Sequence, residues 1–249
     1  MIGTAGWSVP KGHADAFPAS GSRLERYAQC LAAVAINIPF NRPHRVETYA
    51  RWAASMPERF RFVVKLARTI THVRRLVRAE GLLCPCLGEV AGLGPKLGPL
   101  LIQLPPSLRF DPNASPGLLR AFRDIHAGSI VCEPRPARWF APDVDTLLAE
   151  RCITRVAADP ATVPGDMSRA AGTSLRYEGL QGSPKTYHST DPPSTLDALA
   201  DRLRVGPGHG RECGCIFDKT AAFAAMGDAL ATRGRLRSHA PLSETPTPS

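Results

Sequence analysis

Short apolar runs recur along this chain, separated by longer stretches in which apolar residues return every three or four positions. The runs fall at residues 2–5, 33–38, 60–64, 99–104, 130–132, 155–158, 174–177 and 213–217. A run such as PLLIQL at 99–104 does not alternate polar with apolar, as expected of a strand covered on both faces. The intervening stretches have helical spacing. Residues 46–55 place Tyr49, Trp52 and Ala53 on one face, and residues 115–125 do the same with Leu118, Leu119 and Phe122. Residues 24–31 and 195–203 follow that pattern, the latter through Leu196, Leu199 and Leu203. Residues 142–151 open on Pro142, a favoured first helical residue, and the alanine-rich residues 221–231 are good helix formers.

Strands alternating with helices predict βα units on a parallel sheet. Eight such units in 249 residues match a single (β/α)8 barrel of the TIM type. An open doubly wound sheet is the alternative. It is disfavoured because GTAGWS, after the first run, lacks the third glycine of a dinucleotide-binding turn. Residues 161–173 and 205–212 read as loops. Residues 238–249 are rich in Ser, Thr and Pro and read as a disordered tail behind a domain at residues 1–237.

Composition adds bounds. An apolar fraction of 43% supplies a sizeable core. The net charge of +9 bears on solubility and on anionic partners, not on fold. Arg68, Arg74, Arg75 and Arg78 crowd one segment, and Arg233, Arg235 and Arg237 another. Their plain explanation is a solvated face. The alternative function they raise is a non-catalytic basic binding protein with nucleic acid as partner. No aromatic residues interleave with the arginines to stack bases, so that alternative stands on charge alone. The first residues show no basic segment leading into an apolar one, and no run reaches the roughly 20 apolar residues of a membrane span. A cytoplasmic protein without membrane contact is expected. Its seven cysteines should then be reduced thiols. Neither C-x-C pair has the spacing of a zinc or redox site, no metal is expected, and no cofactor is indicated.

Ligands of a parallel barrel meet the C-terminal ends of the strands. Those ends are polar here: Asn37, Lys65, Gln103, Glu133 with Arg135, Asp159 and Asp218. The run SIVCEPR, residues 129–135, shows the pattern, with apolar residues through the core and then a carboxylate and a guanidinium. Glu133, Lys65 and Asp159 form the expected catalytic set, with Glu133 as acid or base and Lys65 desolvated by the run it leaves. Arg135 is expected to hold an anion, with Asn37, Gln103, His72 and Asp218 also around the ligand. Asp218 has a competing and preferred reading as the N-cap of the alanine-rich helix. Cys132 reads as core packing because no histidine is evident beside it. The expectation can be checked directly: Glu133, Lys65 and Asp159 should meet around one opening.

The segments IGTAGWSVP, FNRPH, RWAASMPERFRFVVKLARTITH, LGPLLIQLPPSLRF, EPRPARWF, ADPA, GSPKTYHS and IFDKTA fall in the order found in the YecE-like family, domain of unknown function 72. The chain resembles that family from about residue 2 to residue 231. The resemblance implies a TIM-type barrel and assigns no reaction. It also implies departures. Where the family has a glutamate and a tyrosine around the second strand, this chain has Ala35 and Asn41. The histidine after the fifth strand is Pro136. The arginine and histidine before Gly-Ser-Pro are Gly179 and Gln181, and the eighth motif's asparagine is Lys219. An activity lost or altered at the barrel mouth is the expectation that follows.

Overall fold

A computed structural model describes residues 1–37, 44–161, 163, 175–205, 212–221 and 223–238. Its strands are β1 (Ile2–Ala5), β2 (Ala33–Asn37), β3 (Arg61–Lys65), β4 (Leu97–Gln103), β5 (Ile130–Glu133), β6 (Ile153–Arg155), β7 (Ala157–Asp159), β8 (Leu175–Leu180) and β9 (Glu212–Phe217). Every pairing is parallel, in the order β6-β5-β4-β3-β2-β1-β9-β8-β7. The two end strands, β6 and β7, are separated in the chain by Val156 alone. The sheet therefore bends round into a nearly closed barrel, the expected (β/α)8 architecture. The sixth strand is split: its first half pairs with β5 and its second with β8. At the switch Val156 N donates to Cys132 O at 2.8 Å.

Around the barrel run α1 (Arg23–Cys30), α2 (Val46–Ala54), α3 (Glu80–Val90), α4 (Ser115–Ile125), α5 (Pro142–Glu150), α6 (Pro193–Val205) and α7 (Ala224–Ser238). Helix α1 starts with a capping box, Ser22 Oγ accepting from Glu25 N and Glu25 Oε2 accepting from Ser22 N. Helix α3 has no clear signal in the sequence, because Pro85 lies inside it and interrupts the local pattern. Leu83, Cys86 and Val90 still give it a buried face, and packing overrides propensity. Helix α7 starts three residues later than its sequence suggests and continues through the arginines to Ser238. Residues 239–249, most of the expected tail, lie outside the described residues, as do most of 161–173 and 205–212. Among the described residues no helix is long and apolar enough to cross a membrane.

The core has two layers, set by the two-residue alternation of each strand. Val34, Val64, Leu100, Ile102, Ile130, Cys132, Leu180, Cys215 and Phe217 face the helices. Ala33, Val63, Leu101, Val131, Val156, Tyr177 and Ile216 fill the lumen. Burial of Cys132 in the outer layer pushes its thiol up to about 12, which suits packing rather than nucleophilic work. Tyr27 ties the first two strands together: its hydroxyl donates to Ala33 O at 2.7 Å and accepts from Thr4 N at 2.8 Å.

Gly3 is demanded by close approach, since a Cβ there would lie 1.9 Å from Ala33 O. Gly3→Ala must push β1 from β2 and is expected to cost about 1–3 kcal/mol. Urea unfolding of parent and variant measures it, and an unchanged midpoint would contradict this packing.

Candidate functional site

Strand alternation brings the end residues of neighbouring strands onto the lumen face. Asn37 pairs in register with Lys65, and Gln103 with Glu133. Each lies two residues beyond a lumen-facing residue: Ala35, Val63, Leu101 and Val131 respectively. Lys65 Nζ donates to Gln103 Oε1 at 3.4 Å, and Gln103 Nε2 donates to Glu133 Oε1 at 3.3 Å. The same Glu133 oxygen accepts from Gln181 Nε2 at 2.5 Å and from Arg135 Nη2 at 2.5 Å. Arg135 Nη2 also donates to Gln181 Oε1. One carboxylate oxygen thus holds three donors from three strand ends.

Glu133 is only 3% exposed. Burial pushes its carboxyl above the usual carboxylate range, and the Arg135 charge and the Gln103 hydrogen bond pull it partly back. Gly179 lies beside it on β8, where a Cβ would stand 3.6 Å from Glu133 Oε2. Asp218 is also raised, by burial first, against the pull of Lys65 and Arg135. In the lumen below, the Tyr177 hydroxyl is buried without a hydrogen-bond partner among the described residues. Burial holds that phenol well above its usual range, and the charges of Glu133 and Asp218 add to the effect. The Tyr187 phenol is raised by burial and by Asp218, with Arg135 opposing, which sets it at the same mouth.

Beside this network opens a cleft of about 290 Å³, lined by Lys65, Asp218, Asn37, Trp7, His44 and Trp52 among others. The Trp7 and Trp52 rings meet edge to face, with centroids 5.1 Å apart. Lys65 joins the cleft to the Glu133 network. His72 sits on the turn Thr69–Val73, its Nδ1 2.8 Å from Thr71 Oγ1. Burial lowers its pKa and the Arg68 and Lys65 charges lower it further, so it lies within the field of Lys65.

Two expectations meet a different geometry. Asp159 pairs with Leu180, a residue of the outer core layer, so it faces the helices rather than the lumen. Its charge is felt by Asp191 and Arg202, not by the Glu133 cluster. Thr154 and Val156 point to the lumen, and the unbroken two-residue alternation from them turns Asp159 outward. Glu133 and Lys65 are therefore brought together through Gln103, while Asp159 is not with them. Asp218 does not cap α7, which begins six residues later at Ala224. It follows Phe217, an outer-layer residue, and so turns to the mouth.

The positions that depart from the family motifs also separate. Ala35 lines the cleft, and Gly179 and Gln181 border Glu133. Pro136 leads into the turn Ala137–Phe140. Lys219 is elsewhere: it is fully buried in the outer layer, paired with Asp191 and with Asp228 at 2.8 Å. Asp228 also accepts from Asp191 N at 3.0 Å. This triad ties the segment before α6 to α7. Asn41 lies outside the described residues. Of the groups at the mouth, Gln181, Tyr177 and Tyr187 were not singled out as site residues from sequence. The signal for Gln181 was its place two residues after Gly179, on the same strand face.

A family model described as "Protein of unknown function DUF72" matches residues 1–249. No curated protein matches the chain. Among solved structures, a DUF72 family protein from Enterococcus faecalis aligns with TM-score 0.78 at 19% identity, covering 95% of this chain and 94% of its own. A DUF72 family protein from Thermotoga maritima aligns with TM-score 0.79 at 18% identity, covering 95% and 98%.

Glu133→Gln removes a carboxyl whose ionisation the folded state opposes. Because the folded pKa is raised, the parent's stability contribution from this group is lost as pH rises through the shifted range. The variant escapes that loss, so its melting temperature should gain on the parent's as pH rises above the ordinary carboxylate range. A difference that does not change with pH would refute the raised pKa. Lys219→Met leaves two aspartates buried without their cation and should cost about 3–5 kcal/mol in denaturant unfolding.

Proposed function

We propose that this chain, which belongs to the DUF72 family, binds a small anionic molecule at the C-terminal mouth of its barrel, with Glu133 as the group that exchanges a proton with it. The observation that supports this most is the hold on Glu133 Oε1 by three donors, next to a cleft lined by Lys65. Lys65 makes one long contact, at 3.4 Å, so an ammonium with three N–H donors keeps capacity for a ligand. Arg135 engages Glu133 and Gln181 through Nη2 alone, and its planar fork suits a carboxylate or phosphate. The Trp7 and Trp52 rings give the ligand an apolar wall.

The raised pKa of Glu133 makes it a proton donor closer to neutral pH than an ordinary carboxyl. An anion held by Lys65 and Arg135 would draw on Arg135, the cation that now favours the ionised carboxylate. It would thereby strengthen Glu133's grip on its proton. Ala35, Gly179 and Gln181 stand where the family motif has ionisable groups, so the proton-exchange role falls on Glu133, with Asp218 as the second carboxyl facing the cleft.

Crystals soaked in phosphate or sulfate should show an anion within reach of Lys65 Nζ and Arg135. Calorimetric titration of the Lys65→Met variant should give about tenfold weaker anion affinity, or less. A mouth left empty while anions settle only on outer helices would overturn the proposal.

A further inference from the structure

The opposite end of the barrel has a larger cavity, of about 450 Å³. Ala32 and Phe60, which line it, stand immediately before β2 and β3, so it lies at the N-terminal ends of the strands. Its floor is apolar, with Leu31 and Phe60 buried and Leu236 of α7 beside them. Three guanidiniums join this floor: Arg59 from the segment before β3, and Arg233 with Arg237 from α7. Arg233 and Arg237 are four residues apart and share one helix face. Among the described residues no aspartate or glutamate lines the cavity. Arg59, Arg233 and Arg237 make no ion pair among the described residues, whereas Arg235 on the same helix pairs with Asp197.

Helix polarity explains some of this charge, because cations are favoured in a last turn. It accounts for Arg237, but neither for Arg59, which is on no helix, nor for the apolar floor they share. A protein surface gains nothing from gathering three like charges round a concave apolar surface unless something of opposite charge enters. The volume lies within the range of small-molecule sites.

We infer that the N-terminal end of the barrel is a second binding site, for a free amphipathic organic anion. Its carboxylate or phosphate head meets Arg59, Arg233 and Arg237, and its apolar body lies on Leu31, Phe60 and Leu236. A polyanionic backbone such as nucleic acid would use the arginines and leave the floor unused. A single head on an apolar body uses both. The site is separate from the mouth and does not depend on Glu133 or Lys65.

Isothermal titration of the purified chain with decanoate, decyl phosphate and decanol tests this. The two anions should bind at one site, about tenfold or more tighter than decanol, since hydrogen bonds to a charged partner exceed neutral ones by that much. The R59A/R233A/R237A variant should lose the preference for the anions. Ala32→Trp, at an exposed residue lining the cavity, should weaken both anions without altering charge. Arg74→Ala, an exposed arginine outside both sites, should leave binding unchanged. Decanol binding as tightly as decanoate, or equal losses in Arg74→Ala and the triple variant, would overturn the inference. So would co-sedimentation with phosphatidylglycerol vesicles in the absence of decanoate binding, which would mark a membrane-facing surface instead. If the triple variant fails to melt cooperatively, Ala32→Trp decides alone, and undiminished decanoate affinity in it would overturn the site.

Discussion

The change of partner at Val156 closes the barrel, and the site at its mouth depends on that closure. In an open sheet β5 and β8 would lie well apart, and Glu133 and Gln181 could not meet. Because β6 pairs with β5 and β7 with β8, the two strand ends stand across a short gap. Gln181 can then place its amide on Glu133 Oε1, and Arg135 can bridge both. A carboxylate taken out of water is costly unless donors replace the hydration it loses. Three donors on one oxygen do so in part. The raised pKa reflects the remaining cost.

Charge is arranged differently at the two ends of the barrel. At the mouth, Lys65 and Arg135 face Glu133 and Asp218, so opposite charges are interleaved with amides. At the N-terminal end, three arginines surround an apolar floor, with no acid among the described lining residues. The first arrangement suits proton exchange with a small polar molecule, and the second suits capture of a molecule with a distinct head and body. Lys219 belongs to neither. Its two aspartates hold α7 to the segment before α6, a structural role for a position where the family motif has an asparagine.

The pattern of departures from the family motif takes on physical meaning in this frame. Ala35, Gly179 and Gln181 all touch the mouth, so three positions that could carry ionisable groups carry small or neutral ones. The glycine fits where a Cβ would press on Val156 at 3.0 Å and stand 3.6 Å from Glu133 Oε2, and the glutamine keeps the hydrogen bond without the charge. Trp7, Trp52 and the lumen packing keep the scaffold that presents them.

The sequence by itself determined the barrel, because solid apolar runs alternating with helical spacing admit few other solutions. It also determined that Lys65, Gln103 and Glu133 end neighbouring strands, and strand alternation then placed them on one face. Tertiary structure alone decided the rest. Asp159 looked equivalent to Glu133 in the sequence, yet it stands three residues after lumen-facing Val156, and the two-residue alternation turns it to the helices. Asp218 looked like a helix cap until α7 began at Ala224. Gln181 became a site residue only when closure brought β8 opposite β5, and Arg59 came to share a cavity with Arg233 and Arg237 only when α7 packed against the barrel base. Local patterns encode which face of a strand is apolar. They do not encode which distant strand or helix that face will meet, since that depends on contacts between residues far apart in the chain.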